Sequence, residues 1–162
     1  MWLWLIVAVV AVQRLGELVR ARRNTRRLLA QGGREHGAGH YPVIVLLHVS
    51  WLAALLVFIP PQTPPDLLWL AILIALQAAR IWVIASLGGR WTTRIIVMPQ
   101  APLVARGPYR WMRHPNYAVV AAEIVALPMV FGAFWIALVF TLLNGAVLAW
   151  RIREEDRALG RS

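Results

Sequence analysis

Residues 110–126, RWMRHPNYAVVAAEIVA, lead from a basic, polar segment into an apolar run that contains one carboxylate, Glu123. Pro115 favours the first turn of a helix, and it pushes His114 out of the helical region, so His114 should lie at the N-cap. Counted from Pro115, Glu123 lies about two turns inside this helix, roughly 10 Å below its start. The stretch therefore predicts a helix that enters a membrane with polar groups at its threshold.

The composition of the whole chain is that of an integral membrane protein. Of its 162 residues 60% are hydrophobic and 15% are charged, and the mean hydropathy is +0.62, whereas soluble domains are about 45–50% apolar. The length is that of one domain. The chain has no cysteine, so we propose no disulfide bond, thiolate nucleophile or thiolate metal site.

Five apolar runs approach or reach the ~20 helical residues that the hydrocarbon core requires. They cover residues 2–19, 41–59, 67–87, 117–130 and 134–150. The fourth run is short, contains Pro128 and is followed by Gly132, so we expect the last two helices to form a tight hairpin. The predicted fold class is an all-α integral membrane protein with five transmembrane helices in a single membrane domain, residues 1–162.

Apart from Arg14 and Arg80, the basic residues, all arginine, are confined to alternate connections. They cluster in residues 20–40, in residues 88–116 and after residue 150, while residues 60–66 and 131–134 contain none. This alternation predicts an N-terminus outside and a cytoplasmic C-terminus. Because topology and attraction to anionic lipid headgroups explain the positive charge, we expect no nucleic-acid partner.

The composition of the connection at residues 88–116 indicates an ordered segment rather than a flexible linker. Residues 95–97 and 103–104 are short extended apolar runs broken by prolines, and a Gly-Pro pair after them predicts a turn. Long ordered loops in small domains are usually functional, so we expect an ordered cytoplasmic loop between the third and fourth helices. Residues 31–39, QGGREHGAG, are interpreted as a glycine-rich loop.

Ionisable residues at bilayer depth cost at least ~2.5–3.5 kcal/mol each, so by default they face the interior of a helix bundle. In the predicted spans they are Arg14, Glu17, His48, Arg80 and Glu123. Two interpretations stay open: ion pairs and packing contacts between helices, or a functional site. Glu123 is the hardest to explain by packing.

A metal site is not predicted. His36 and His40 are four residues apart, but they lie among glycines in a loop, and neither cysteine nor a nearby pair of carboxylates completes a site. No Ser-His-Asp order or nucleophile elbow is present either.

The predicted hairpin brings two polar segments to the same cytoplasmic edge: GPYRWMRHPNY, which enters the fourth helix, and RIREEDRAL, which leaves the fifth. Arg151 and Glu155 are four residues apart and share a helix face. With His114 and Tyr117 they would form a pocket of guanidinium, carboxylate, imidazole and phenol. The alternative is a basic belt at the membrane surface beside a solvated helix end.

From LGGRWTTR through PLVARGPYRWMRHPNY to RIREEDRAL, residues 87–159, the sequence resembles the isoprenylcysteine carboxyl methyltransferase family. These are membrane enzymes that transfer a methyl group from S-adenosylmethionine. The resemblance implies that residues 88–162 hold the cofactor-binding loop and the hairpin, and that residues 1–87, the first three helices, form the side that receives a lipid substrate.

The resemblance also implies roles for individual residues. The cofactor site would be lined by Tyr109, His114, Pro115, Asn116, Tyr117 and Glu155, with Ala101, Pro102, Leu103 and Val104 approaching the adenosine through their backbone. Arg151 stands where the family has an arginine on the substrate side. Arg94 departs from the family pattern, which often has a neutral amide there.

We therefore expect an S-adenosylmethionine-dependent O-methyltransferase, with a lipophilic small-molecule acceptor, at the cytoplasmic face of a bacterial inner membrane. The N-terminal half resembles a bacterial branch in which some members are associated with methylating long-chain phenols and pyrones. A carboxylate acceptor would need a cation such as Arg151 or Arg14 to orient it. A phenol must lose a proton, for which Glu123 or His48 would serve, and this mildly favours a phenolic or enolic lipid.

Two other functions compete with this prediction. Sterol-type ene-reductases that use NADPH share an RHPNY-like segment, although they are longer chains. The other is a non-enzymatic membrane protein, such as a small transporter, with interior ion pairs.

Overall fold

The computed structural model describes residues 1–99, 102 and 104–160. Its elements are helices α1 (Trp2–Ala30), α2 (Tyr41–Phe58), α3 (Leu67–Leu87), α4 (Pro115–Met129) and α5 (Phe134–Ala158), and strands β1 (Arg34–His36) and β2 (Ile95–Val97). Four helices are long and apolar enough to cross a membrane, and α4 is shorter. The all-helical membrane class is thus confirmed, while five crossings remain a prediction.

Helices α1 and α5 run well beyond the apolar spans. Residues 20–30, which we assigned to a connection, complete α1, because arginine is a good helix former and residues 20–31 contain no glycine or proline. Buried Ala21 and Leu28 hold this extension against the rest of the protein. Asn24 fixes it further, because its amide donates hydrogen bonds to the carbonyls of Gly88 and Trp91 at 3.2 and 2.8 Å.

The interpretation of residues 31–39 as a loop is wrong for residues 34–36, at the centre of this segment. Residues 34–36 form β1, which pairs antiparallel with β2 so that Glu35 lies opposite Ile96. Residues 95–97 do form a strand, as their extended apolar pattern predicts. The partner was missed because Arg34, Glu35 and His36 have little intrinsic preference for strands. This two-stranded ribbon, formed by β1 and β2, joins the segment after α1 to the connection between α3 and α4.

That connection is also fastened to α3. Arg106 Nε donates to the Ser86 carbonyl at 2.6 Å. Gly107 has φ +57°, and a Cβ there would lie 2.1 Å from Ser86 Oγ. Only glycine permits both this backbone conformation and this close approach. The turn at residues 107–110 therefore starts from a fixed point on α3 and delivers the chain to the beginning of α4.

The main core occupies the half of the bundle that lies away from the arginine-rich connections. Its members include Leu3, Val7, Trp51, Leu55, Ile124 and Leu127. Large apolar side chains such as Leu46, Phe58 and Trp135 remain exposed on the outer surface, where lipid would cover them. The four residues 130–133 join α4 to α5, so the start of α4 and the end of α5 lie at the same edge.

Candidate active site

Four side chains meet at that edge, as the hairpin predicts. His114 lies at the N-cap of α4 with Pro115 as the first helical residue. The Tyr117 hydroxyl donates to Glu155 and accepts a hydrogen bond from Arg151 Nε at 2.8 Å. His114 stacks on the Tyr117 ring, with centroids 5.1 Å apart, and its Nδ1 lies 3.8 Å from Glu155 Oε2. The phenol of Tyr117 thus bridges Arg151 and Glu155.

Arg151 carries a positive charge that only neutral groups contact. Its side chain is 7% exposed, and its Nη1 donates to the carbonyl of Thr93 at 2.9 Å. Among the described residues, no carboxylate oxygen lies within 4.0 Å of its guanidinium. Buried charges are normally paired, so the geometry leaves Arg151 able to bind an anion. We did not anticipate Thr93, because its contribution is a backbone carbonyl.

A cavity of about 420 Å³ opens beside this cluster and will be called the cofactor cavity, after the role that the family resemblance implies for its lining residues. Its lining includes Pro102, Val104, Tyr109, His114, Asn116, Tyr117, Arg151 and Glu155. Pro115 is buried at the start of α4 and does not line the cavity. Ala101 and Leu103 lie outside the described residues.

The residues that line the cofactor cavity suit a polar, nucleoside-sized molecule. Its volume falls in the range of about 300–1,000 Å³ typical of ligand sites. Asn116 Oδ1 is buried and accepts no hydrogen bond from the part of the chain that the structure describes. Burial, and then the charge of Glu155, raises the pKa of Tyr109, so its phenol stays neutral and can donate a hydrogen bond.

A second cavity, of about 310 Å³, lies on the membrane side and will be called the acceptor cavity, after the lipophilic acceptor that the sequence leads us to expect. Most of its wall is apolar, and Leu15 on α1 and Val49 on α2 both line it and reach the lipid-facing surface. The two cavities share one wall, which consists of Trp91, Thr92, Asn116, Tyr117 and Arg151. A molecule in one cavity would therefore meet a molecule in the other at this wall.

Four of the five ionisable residues in the predicted spans form a network across three helices. Arg14 contacts Glu17 at 2.9 Å and Glu123 at 2.8 Å, and Arg80 contacts the same two carboxylates at 2.6 and 3.2 Å. Gln77 Nε2 also donates to Glu123 at 2.9 Å. The four ionised groups balance one another. The interpretation as ion pairs between helices therefore describes them well.

Glu123 and His48, the two suggested bases, lie in different surroundings. Glu123 is 3% exposed, accepts from three residues and lines neither cavity. His48 lines the acceptor cavity and packs edge-on against Trp51. Its Nδ1 lies 2.9 Å from the carbonyl of Ile44. Because that oxygen can only accept, Nδ1 carries a proton, and in the neutral form of the ring Nε2 can then accept a hydrogen bond.

Arg94, which departs from the family pattern, pairs with Glu35 of β1 and so stabilises the ribbon of β1 and β2. Its Nη1 lies 2.7 Å from Glu35 Oε1, and its guanidinium lies over the Tyr41 ring, 4.7 Å from the centroid. Arg94 also lines the cofactor cavity. Strand β1 thus positions one wall of that cavity, a role that no sequence pattern indicated.

Comparison with known proteins places this chain in a family. The chain is 39% identical over 160 residues to the uncharacterised protein YpbQ of Bacillus subtilis (strain 168), covering 96% of this chain and 95% of that protein. It is 28% identical over 142 residues to an uncharacterised protein of Haemophilus influenzae, covering 85% and 83%. No solved structure matches. The sequence model of the isoprenylcysteine carboxyl methyltransferase family matches residues 69–161, more than half of the chain, and the chain belongs to that family.

Proposed function

We propose that this membrane protein transfers a methyl group from S-adenosylmethionine to an oxygen of a lipophilic acceptor. Membership of the family implies a methyltransferase. The observation that supports this particular reaction is the wall shared by a cavity lined by several charged and polar side chains and a second cavity that is almost entirely apolar. A reaction between a water-soluble donor and a lipid acceptor needs such a wall, where both molecules meet in a fixed orientation.

S-adenosylmethionine, when bound, supplies a methyl group on a sulfonium, which an oxygen can take by direct displacement. Glu155, Asn116 and Tyr109 are the polar groups that would hold it, through its ammonium, hydroxyl and base functions. His114 and Tyr117 present stacked rings beside them. Contacts from Ala101 and Leu103 remain a prediction. What the protein contributes is alignment of the two reactants and exclusion of water.

The positive charge of Arg151 at the shared wall limits the chemical class of the acceptor. Arg151 lacks a carboxylate partner among the described residues, whereas Arg14 contacts both Glu17 and Glu123. Arg151 is therefore the cation that would orient an anionic oxygen, either a carboxylate or a phenolate or enolate. The acceptor oxygen forms the new bond to carbon with its own electron pair, and the bond from carbon to sulfur breaks.

The acceptor would enter its cavity laterally from the lipid bilayer. Most of the acceptor cavity is formed by α1, α2 and α5, and it reaches exposed apolar residues between α1 and α2. The arginine-rich connections lie on the side of the cofactor cavity, which is the cytoplasmic side if they follow the positive-inside rule. We therefore place the site at the cytoplasmic face of a bacterial inner membrane, with the N-terminus outside.

Binding of radiolabelled S-adenosylmethionine to the detergent-purified protein tests the proposal. His114→Ala and Glu155→Ala should abolish saturable binding, since both residues line the cofactor cavity. Arg157→Ala is the matched control, because Arg157 is on the same helix and its side chain is 73% exposed. Failure of the unaltered protein to bind, or binding of NADPH in its place, would overturn the proposal.

A further inference from the structure

The turn before α4 presents apolar side chains to the outside of the protein. Trp111 is 72% exposed and Met112 is 48% exposed. Among the described residues between 88 and 114, they are the only large apolar side chains that stay exposed. Covering such side chains is favourable because it removes apolar surface from water. We therefore expect a partner outside this chain to cover the turn.

The turn lies near the end of α3, one of the helices that are long and apolar enough to cross a membrane. The Trp111 ring packs on Trp82 of α3, with the ring centroids 5.9 Å apart. Gly107, where the turn begins, lies against Ser86. Trp82 precedes the last residue of α3 by five positions, which is about 7–8 Å along the helix. Tryptophan near the end of a span is typical of the boundary between hydrocarbon and lipid headgroups, so the turn lies at that boundary.

Two arginines flank the exposed pair. Arg110 and Arg113 are both exposed, and no ion pair in the described part of the chain includes either of them. Two guanidiniums around an apolar pair match an anionic phospholipid. Its phosphate accepts hydrogen bonds from the arginines, and its acyl chains cover Trp111 and Met112. A free phosphate ion would leave the apolar pair uncovered.

The same turn forms part of the cofactor cavity. Tyr109 precedes the exposed pair and His114 follows it, and both line the cavity. The backbone N–H groups of Trp111 and Met112 both donate to the carbonyl of Pro108 at 3.2 Å, so residues 108–112 form one closed turn. A contact that holds Trp111 at the membrane therefore also holds Tyr109 and His114 beside the cavity.

We propose that residues 110–113, RWMR, bind an anionic phospholipid of the bilayer, and that this lipid stabilises the form of the cofactor cavity that binds S-adenosylmethionine. The lipid raises the affinity for the cofactor only by as much as it prefers that form of the turn. The second part of the inference rests on the proposed function, because it takes the cavity to be that of S-adenosylmethionine. Lipid binding itself does not depend on it.

Thermal unfolding of the detergent-purified full chain tests lipid binding. Dioleoylphosphatidylglycerol should raise Tm more than dioleoylphosphatidylcholine, which has the same acyl chains and no net charge. A variant with Arg110→Gln and Arg113→Gln should lose this difference. A variant with Arg22→Gln and Arg23→Gln is the matched control and should keep it, because it also removes two exposed arginines, from the end of α1.

Binding of radiolabelled S-adenosylmethionine in phosphatidylcholine nanodiscs, with and without phosphatidylglycerol, tests the effect on the cofactor. We expect about fivefold tighter binding with the anionic lipid, which is the effect of one arginine near an anionic surface. Trp111→Ser should remove this difference, although Trp111 lines neither cavity. Trp135→Ser is the control and should keep it, because Trp135 is 73% exposed but lies at the start of α5, at the other end of the bundle.

Three results would overturn the proposal. The first is equal stabilisation of the unaltered protein by the two lipids. The second is a lipid effect on cofactor affinity that persists in Trp111→Ser, because the anionic surface would then act only by concentrating the cationic cofactor. The third is an equal gain from inorganic phosphate in phosphatidylcholine nanodiscs, because the ligand would then be a free anion.

The two proposals fail separately. If no nanodisc preparation binds S-adenosylmethionine, but the Tm difference is present and the Arg110 and Arg113 substitutions remove it, the lipid site is supported and the proposed function is contradicted. Cofactor binding that is the same in both lipids supports the proposed function and contradicts control by lipid. If the double arginine variant does not fold, the comparison of the two lipids on the unaltered chain and on Trp111→Ser decides the question.

Discussion

Two clusters of arginine and glutamate lie about two helical turns apart in this protein, and their charges are arranged in opposite ways. In the deep network, Arg14 and Arg80 share Glu17 and Glu123 and leave no net charge. At the shared wall, the Tyr117 hydroxyl separates Arg151 from Glu155. The comparison teaches that the arrangement of partners, rather than the residue types, distinguishes a cluster that holds helices together from one that can bind a ligand.

The largest expected effect is on the deep network. Arg80→Met should lower the free energy of unfolding by about 3–5 kcal/mol, because both carboxylates lose a donor and Glu123 stays buried. Thermal and denaturant unfolding in detergent measure this loss. Arg20→Met, on the exposed face of α1, is the control and should change little. Equal losses in the two variants would contradict the structural role of the network.

Arg151→Met should affect activity rather than stability. Its guanidinium contacts only neutral groups among the described residues, so its removal leaves no buried carboxylate without a partner. We expect kcat/KM for methyl transfer to fall about 100–1,000-fold, the usual result of losing one group that stabilises charge in the transition state. Arg157→Ala should retain activity. Unfolding of Arg151→Met as severe as that of Arg80→Met would remove the contrast between the clusters.

Glu123→Gln sharpens the comparison, because Glu123 was also a candidate base. We expect a loss of about 1–3 kcal/mol in unfolding free energy, as its charge-assisted hydrogen bonds weaken. Turnover should stay within a few-fold, since Glu123 lines neither cavity. Abolished turnover in a variant of normal stability and normal cofactor affinity would instead show that Glu123 is the base.

The smallest effect on stability and cofactor affinity is expected from the ion pair between Arg94 and Glu35 in the ribbon of β1 and β2. Arg94 and Glu35 are partly exposed, at 41% and 22%, so Glu35→Gln should cost less than about 1 kcal/mol. Affinity for S-adenosylmethionine should fall by less than about fivefold, and added salt should reduce the difference between variant and unaltered protein. Glu154→Gln is the control, since Glu154 pairs with exposed Arg157. A larger loss would make the ribbon part of the binding site.

The sequence predicted those features that depend on hydrophobic runs and on short-range spacing. Helices α2 and α3 follow their apolar runs closely, and the hairpin of α4 and α5 explains why His114 and Arg151 meet. Features that depend on long-range pairing were missed. The strand at residues 34–36 is defined by its partner, and the two guanidinium contacts of Glu123 cross from other helices, so neither leaves a local pattern.

The wall shared by the two cavities has a consequence for product release. On the proposed function, methylation converts the anionic oxygen beside Arg151 into a neutral ether or ester. The attraction that held the acceptor is removed by the reaction itself, because a guanidinium binds a neutral oxygen more weakly than a charged one. The methylated lipid would then partition back into the bilayer, while Arg151 becomes available to the next anionic molecule.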